Sequence, residues 1–219
     1  MRIALGIQYN GSAFCGWQTQ PDMPNVQDTL ESALKTFATV PISTICAGRT
    51  DTGVHATHQV VDFKAPVARP LTAWVRGVNT FLPPTVAVRW ACEVPDDFSA
   101  RFSATERTYE YWLLNDPVRS PLMQGLVGWV FRPCDETKMQ EAAQCLLGEH
   151  DFTSFRASEC QAKSPIRTIH EITVKRCGNM IGIRLRANAF FAPYGSKYRW
   201  QFWFMLVRES KAYSGSKKF

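Results

Sequence analysis

Cys46-Ala47-Gly48-Arg49-Thr50-Asp51-Thr52-Gly53-Val54-His55-Ala56 concentrates one carboxylate, one guanidinium, two threonines and two glycines in a single short segment. The two glycines allow the backbone a positive φ or a close approach to a ligand, and Thr-Asp-Thr between them favours a tight turn that projects Asp51. The residues that follow, Gln59-Val60-Val61-Asp62-Phe63, alternate polar and apolar like a half-buried strand. Asp51 is therefore expected at the mouth of a sheet, on a loop fixed by the strand after it. In extended chain Arg49 and Asp51 lie on one face, where the cation would keep the carboxylate ionised, as a nucleophilic carboxylate requires. Residue types alone leave a second reading open, since Thr-Asp-Thr-Gly is more often a solvated surface turn than a reactive one.

Upstream, residues 2–8 alternate as a first strand, Tyr9-Asn10-Gly11-Ser12 makes a turn, and Phe14-Cys15-Gly16-Trp17-Gln18-Thr19-Gln20-Pro21 reads as a loop anchored by a buried Trp. Asn25 is a good N-cap for a helix over 26–38, whose Val26, Leu30, Ala33, Leu34 and Phe37 fall on one stripe. Downstream, Thr72 is expected to cap a second helix carrying Trp74, Val75, Val78 and Phe81, stopped by Pro83-Pro84, and 86–94 reads as a strand. Strand, helix, strand, helix, strand predicts an α+β fold with helices on one face of a mostly antiparallel sheet.

A polar connector over 95–105 is the expected hinge to a second half. There Arg107-Thr108-Tyr109-Glu110-Tyr111 begins a strand with both tyrosines on one face, either a cross-strand aromatic pair or a platform for a base. A third helix is expected over 137–148, ended by Gly148, and a hairpin over 169–190 around Cys177-Gly178-Asn179. His150 and Asp151 read as a polar turn, and His55 and His58 lack partners at metal-ligand spacing, so no metal site is expected. Neither a dinucleotide loop nor a Walker motif is present, and no cofactor is expected.

The string Ala47-Gly48-Arg49-Thr50-Asp51-Thr52-Gly53-Val54-His55-Ala56 resembles the signature of the TruA family of tRNA pseudouridine synthases, whose catalytic aspartate falls on Asp51. The resemblance continues in the opening strand, the Gly16-Trp17-Gln18-Thr19-Gln20 loop, the Arg-x-Tyr-x-Tyr pattern at Arg107 and the segment 149–156, and it runs from Arg2 to Phe190. The family's Tyr-Asp-Gly-Ser turn has Asn10 in its second place here, which removes a charge. The resemblance implies a pseudouridine synthase fold of two RRM-like or ferredoxin-like halves, 1–100 with the catalytic loop and 101–191, each a mostly antiparallel sheet covered by helices. It implies an isomerase that converts uridine to pseudouridine on the 3′ side of the tRNA anticodon stem-loop, working as a homodimer. Tyr109 would pack on the target base, and Arg49 would grip the backbone or fill the space the flipped nucleotide vacates. A non-catalytic RNA-binding protein on the same scaffold and a carboxylate-based nucleoside hydrolase are the rival readings.

The formal net charge of +6 suits a polyanionic partner, but six of the basic residues and one glutamate lie beyond residue 191, leaving the rest of the chain near neutral. Seven cysteines without a Cys-x-x-Cys pair, an N-terminus that runs directly into a strand, and no membrane-length apolar run together predict a cytoplasmic protein with reduced thiols. The last segment, 192–219, departs from the family. Ala192-Pro193-Tyr194-Gly195-Ser196-Lys197-Tyr198-Arg199-Trp200-Gln201 has no helical stripe. An allowed coding of it, GCA-CCA-TAT-GGT-TCG-AAA-TAT-CGT-TGG-CAG, reads one base later as His-His-Met-Val-Arg followed by Asn-Ile-Val-Gly-Ser. Family members carry a helix beginning His-x-Met-Val-Arg at this point, with an arginine that pairs with the catalytic aspartate. A frameshift near the Phe191 codon is the expectation.

Overall fold

The computed structural model describes residues 1–153 and 164–188. The chain divides into two compact units, Met1–Thr105 and one that starts at Glu106, each built around its own apolar cluster.

In the first unit the order is β1 (Arg2–Tyr9), α1 (Val26–Ala38), β2 (Ile45–Cys46), β3 (Ala56–Lys64), α2 (Leu71–Asn79), β4 (Val86–Val94) and a one-turn α3 (Ala100–Ser103). The sheet runs β2-β3-β1-β4 with every pair antiparallel, which is the split β-α-β arrangement of ferredoxin-like folds. Alternation in β1 explains its central place: Ile3, Leu5, Ile7 and Tyr9 all point into the core beneath the helices. Leu30 and Leu34 of α1 meet Trp74 and Val78 of α2 over that face, and Trp74 sits between the rings of Phe37 and Phe63 at 5.1 and 5.2 Å. Gly77 of α2 has no Cβ because the Phe37 ring occupies that position.

The other face of this sheet is covered differently. Trp90 lies across Gly6, with its indole N–H donating to His58 Nε2 at 3.0 Å. Asp62, at 0 % exposure, accepts from Arg2 Nε and from the Ala100 backbone N–H, both at 2.7 Å, and so ties the start of α3 to β3.

The second unit comprises β5 (Arg107–Asn115), β6 (Gly128–Val130), α4 (Glu136–Gln144), β7 (Gly148–Asp151), β8 (Ile166–Cys177) and β9 (Met180–Ala187). Its sheet runs β6-β5-β9-β8-β7, antiparallel except for the short β5–β6 pair. Beyond Ile169 the edge of β8 is no longer paired by β7, and the Gln140 amide of α4 takes over, bonding Val174 N and Ile172 O. Both units are α+β.

Several local expectations differ from what is observed. The second helix starts at Leu71 behind Pro70, so Thr72 lies inside its first turn and does not cap it. The third helix runs Glu136–Gln144 with Asp135 as its cap, and Gly148, at φ +91°, opens a strand instead of closing the helix. His150 and Asp151 consequently belong to β7; His150 Nε2 is paired with the Leu147 carbonyl and Asp151 accepts from Thr153. β2, β6 and α3 are each four residues or shorter, too brief to leave a periodic signal. The end of the expected final hairpin at Phe190 and the whole of 192–219 lie outside the described residues.

α1 begins as expected at Asn25, whose Oδ1 accepts from Asp28 N at 2.8 Å while its amide donates to Asp28 Oδ2 at 2.6 Å and to the Met23 carbonyl at 3.1 Å. Replacing Asn25 by Ala removes the cap from a nearly inaccessible position, and urea unfolding should show a loss of about 1–2 kcal/mol.

Candidate active site

The segment 47–55 connects β2 to β3 and is braced at nearly every second residue. Ala47 N donates to Val60 O at 2.9 Å, continuing the β2–β3 ladder, and the Gln59 amide bonds the Gly48 carbonyl. Val54 N donates to Asp51 O at 3.1 Å, closing a tight turn in which Gly53 takes φ +74°. Asp51 sits at the start of this turn, half-buried.

A second strand of chain, 11–17, holds the loop from the other side. Trp17 N donates to Thr50 O at 2.9 Å and Gly53 N to Phe14 O at 3.1 Å. The same short stretch satisfies α1: Val26 N donates to Gly16 O and Gln27 N to Trp17 O, at 3.2 and 3.0 Å, pairing two of the four amides a helix N-terminus leaves open. Trp17, 1 % exposed, fixes the whole strut in the core. Gly16 must be glycine twice over, because it adopts φ +96° and a Cβ would stand 2.6 Å from the Thr50 carbonyl oxygen. At Gly11 a Cβ would overlap the Val54 carbonyl, while its N–H donates to His55 Nδ1 at 3.2 Å.

Side chains finish the bracing. The Tyr9 hydroxyl, at the end of β1, pairs with Thr50 Oγ1 at 2.8 Å. Burial pushes the Tyr9 phenol above its ordinary range, with hydrogen bonds to Thr50 and Gln59 opposing the shift, so it stays a neutral hydroxyl at physiological pH. Asp51 is thus flanked by Thr50, held through backbone and side chain, and by Gly53, held through its amide. The result is a carboxylate whose backbone is fixed to the central strand and to α1.

Arg49 is exposed. Burial pushes the Cys46 thiol up, and the Arg49 guanidinium opposes that shift only in part. Tyr109 belongs to the second unit, on β5 opposite Leu185, half-buried against that unit's apolar cluster with Tyr111 on the same face. Asp51 and Arg49 therefore share one loop, and Tyr109 stands on a different element of a different unit. Among the described residues no cluster of three His, Cys, Asp or Glu could hold a metal ion, no disulfide joins the cysteines, and no helix is long and apolar enough to cross a membrane. Tyr9, Gly11, Gly16, Trp17 and Gln59 are the residues that position the loop, and reading the loop alone does not find them. Their signal was a Gly-x-x-x-x-Gly-Trp spacing directly after a strand that ends in tyrosine.

A family model described as tRNA pseudouridine synthase matches residues 6–103 and 142–192, and the first of these spans contains both halves of the braced loop. The tRNA pseudouridine synthase A of Burkholderia multivorans is 58% identical to this chain over 190 residues, covering 87% of the chain and 70% of the relative. The chain belongs to the tRNA pseudouridine synthase family. The proteins of the same name from Burkholderia cenocepacia and Paraburkholderia phymatum match this pseudouridine synthase chain at 58% and 57% identity, covering 87% and 86% of it and 70% and 71% of the relatives. Within the synthase chain, the family match takes in Arg49, Asp51 and α3, passes over β5 with Tyr109, and ends at Ala192.

The bracing has a measurable consequence. Gly53→Ala meets open space and costs only the strain of a positive φ, about 1–2 kcal/mol. Gly16→Ala adds a collision with the Thr50 carbonyl and should destabilise more. Urea titrations of the two variants should separate them in that order; equal losses would mean the strut does not support the loop.

Proposed function

We propose that this chain is an isomerase converting uridine to pseudouridine in tRNA, with Asp51 as its catalytic carboxylate. The observation that carries the reading is the loop itself: one acidic side chain on a turn whose neighbours on both sides are fixed by the core, inside the stretch matched by the family. The reaction breaks the N1–C1′ bond, turns the freed uracil and joins C5 to C1′; N1 gains a proton, C5 loses one, and the atoms balance without an oxidant or a phosphate donor. It calls for an ionised carboxylate to trap or stabilise electron-deficient C1′, or to attack the ring, and a base for the C5 proton. Asp51 fills the first role. The substrate we assign is the 3′ side of the anticodon stem-loop, from which the nucleotide must be flipped at a cost of a few kcal/mol. Tyr109 packs on the extruded uracil, and Arg49, exposed beside the loop, grips the backbone or occupies the vacated space. The working protein is a cytoplasmic homodimer.

We also propose that 192–219 results from a frameshift near the Phe191 codon, and that the product with the frame restored carries full activity. The family match stopping at Ala192 supports this. DNA that fails to read His-His-Met-Val-Arg in the neighbouring frame at Ala192, or full activity of the chain as it stands, refutes it.

Tritium release from C5-labelled uridine in unmodified tRNA tests the reaction. In the frame-restored enzyme Asp51→Asn should reduce turnover to below about a hundredth while tRNA binding persists, since losing a covalent catalyst typically costs several orders of magnitude. Tyr109→Phe should retain stacking and Tyr109→Ala lose it; wild-type rates from both would return Tyr109 to a purely structural role. Binding of tRNA without tritium release would mark a non-catalytic RNA-binding protein, and release of uracil a hydrolase.

A further inference from the structure

The buried carboxylate of Asp62 is the most expensive polar group in the first unit, and the reaction does not use it. It lies at 0 % exposure on the face of the sheet away from α1 and α2, and its two described partners, Arg2 Nε and Ala100 N, are both at 2.7 Å. Breaking the partnership of a buried carboxylate so held is costly. What it secures is α3, a single turn that packs against β2 and β3, the two strands joined by the Asp51 loop.

Such an anchor contrasts with what α3 displays. Ala100 is buried, yet the next residues, Arg101 and Phe102, both point out, and Phe102 is 82 % exposed. The Arg101 guanidinium stands 5.4 Å over the centre of the Phe102 ring. α3, which carries Arg101, packs against β2 and β3, and Arg49 lies just beyond the end of β2 in the loop that joins them. An exposed guanidinium over a large bare aromatic ring forms a surface that an isolated domain gains little from. It matches what holds single-stranded RNA, where cations take the phosphates and rings take the unstacked bases.

We propose that Arg101 and Phe102, held by Asp62 through α3, form an RNA-contact site beside the Asp51 loop: Arg101 binds a backbone phosphate, and Phe102 stacks on an unpaired base next to it. The proposal deepens the tRNA reading and rests on it. Arg101 and Phe102 are contact residues, and Asp62 is a positioning residue that acts through α3.

The test is binding of the full-length chain to a synthetic anticodon stem-loop RNA, measured by fluorescence anisotropy over a range of salt concentrations. Arg101→Ala should flatten the dependence of log affinity on log salt by about 0.7–0.9, the loss of one phosphate contact. Arg101→Lys should restore that slope. Phe102→Ala should weaken binding roughly fivefold or more with the slope unchanged, and Phe102→Trp should recover it. Asp62→Asn, with folding checked by circular dichroism, should reproduce the loss of slope seen for Arg101→Ala. Arg119→Ala, which removes an exposed charge from the second unit, serves as the control and should leave both quantities unaltered. The idea is overturned if Arg101→Ala keeps the wild-type slope, if Arg119→Ala flattens it equally, or if the wild-type chain does not bind the RNA. Wild-type binding with an unaffected Arg101→Ala slope removes this site alone; failure of Asp51→Asn to stop tritium release strikes the catalytic reading alone.

Discussion

The hydrogen bond from Trp17 N to the Thr50 carbonyl is the contact on which the site's geometry depends. It joins three things that are far apart in the chain: the ring of Trp17 in the core, the open amides at the start of α1, and the residue before Asp51. A loop with few apolar side chains of its own cannot be ordered by burial. Backbone groups donated by a neighbouring segment order it instead, and that segment can approach closely only because positions 11 and 16 carry no Cβ. The arrangement fixes the backbone on both sides of Asp51 through contacts that the fold itself supplies.

Rigidity of this kind is distributed unevenly over the first unit. The helix-covered face is a conventional apolar core centred on β1 and Trp74. The opposite face is held by two devices of different character, an indole laid across Gly6 and a buried ion pair at Asp62. Both bring polar or aromatic groups to a surface that in a small α+β domain would otherwise face water, and both reach β3, the strand that follows the Asp51 loop.

Much of this was legible in the residues. Long elements declared themselves: α1 with its Asn25 cap, β1 and β4 as apolar-rich runs bounded by turn residues, and the Asp51 loop by its unusual density of turn and charge residues. The short pieces did not, because β2, β6 and α3 owe their form to partners elsewhere and not to local preference. Gly148 misled for a related reason. A glycine after a helical stripe commonly ends it, but here the helix had already closed at Gln144 and the positive φ was needed to turn into β7. Arg49 and Asp51 share the loop, as their spacing suggested, with Arg49 exposed and Asp51 half-buried. The roles of Gly11 and Gly16 depend on contacts with His55 and Thr50, far along the chain, which spacing alone does not encode.

The central place of β1 carries a consequence for how the protein is made. Arg2 pairs with Lys64 on one side and with Val94 on the other, so the first strand to leave the ribosome is bonded along both edges only to segments synthesised much later. Until they emerge, Ile3, Leu5 and Ile7 have no sheet to enter, and the nascent chain exposes an apolar strand with two unpaired edges. The Asp51 loop, which leans on Tyr9 and on the turn after it, cannot take its shape before that strand is captured. Its ordering is thus a late event in synthesis, and a chain interrupted before β4 would carry every residue of the loop without its architecture.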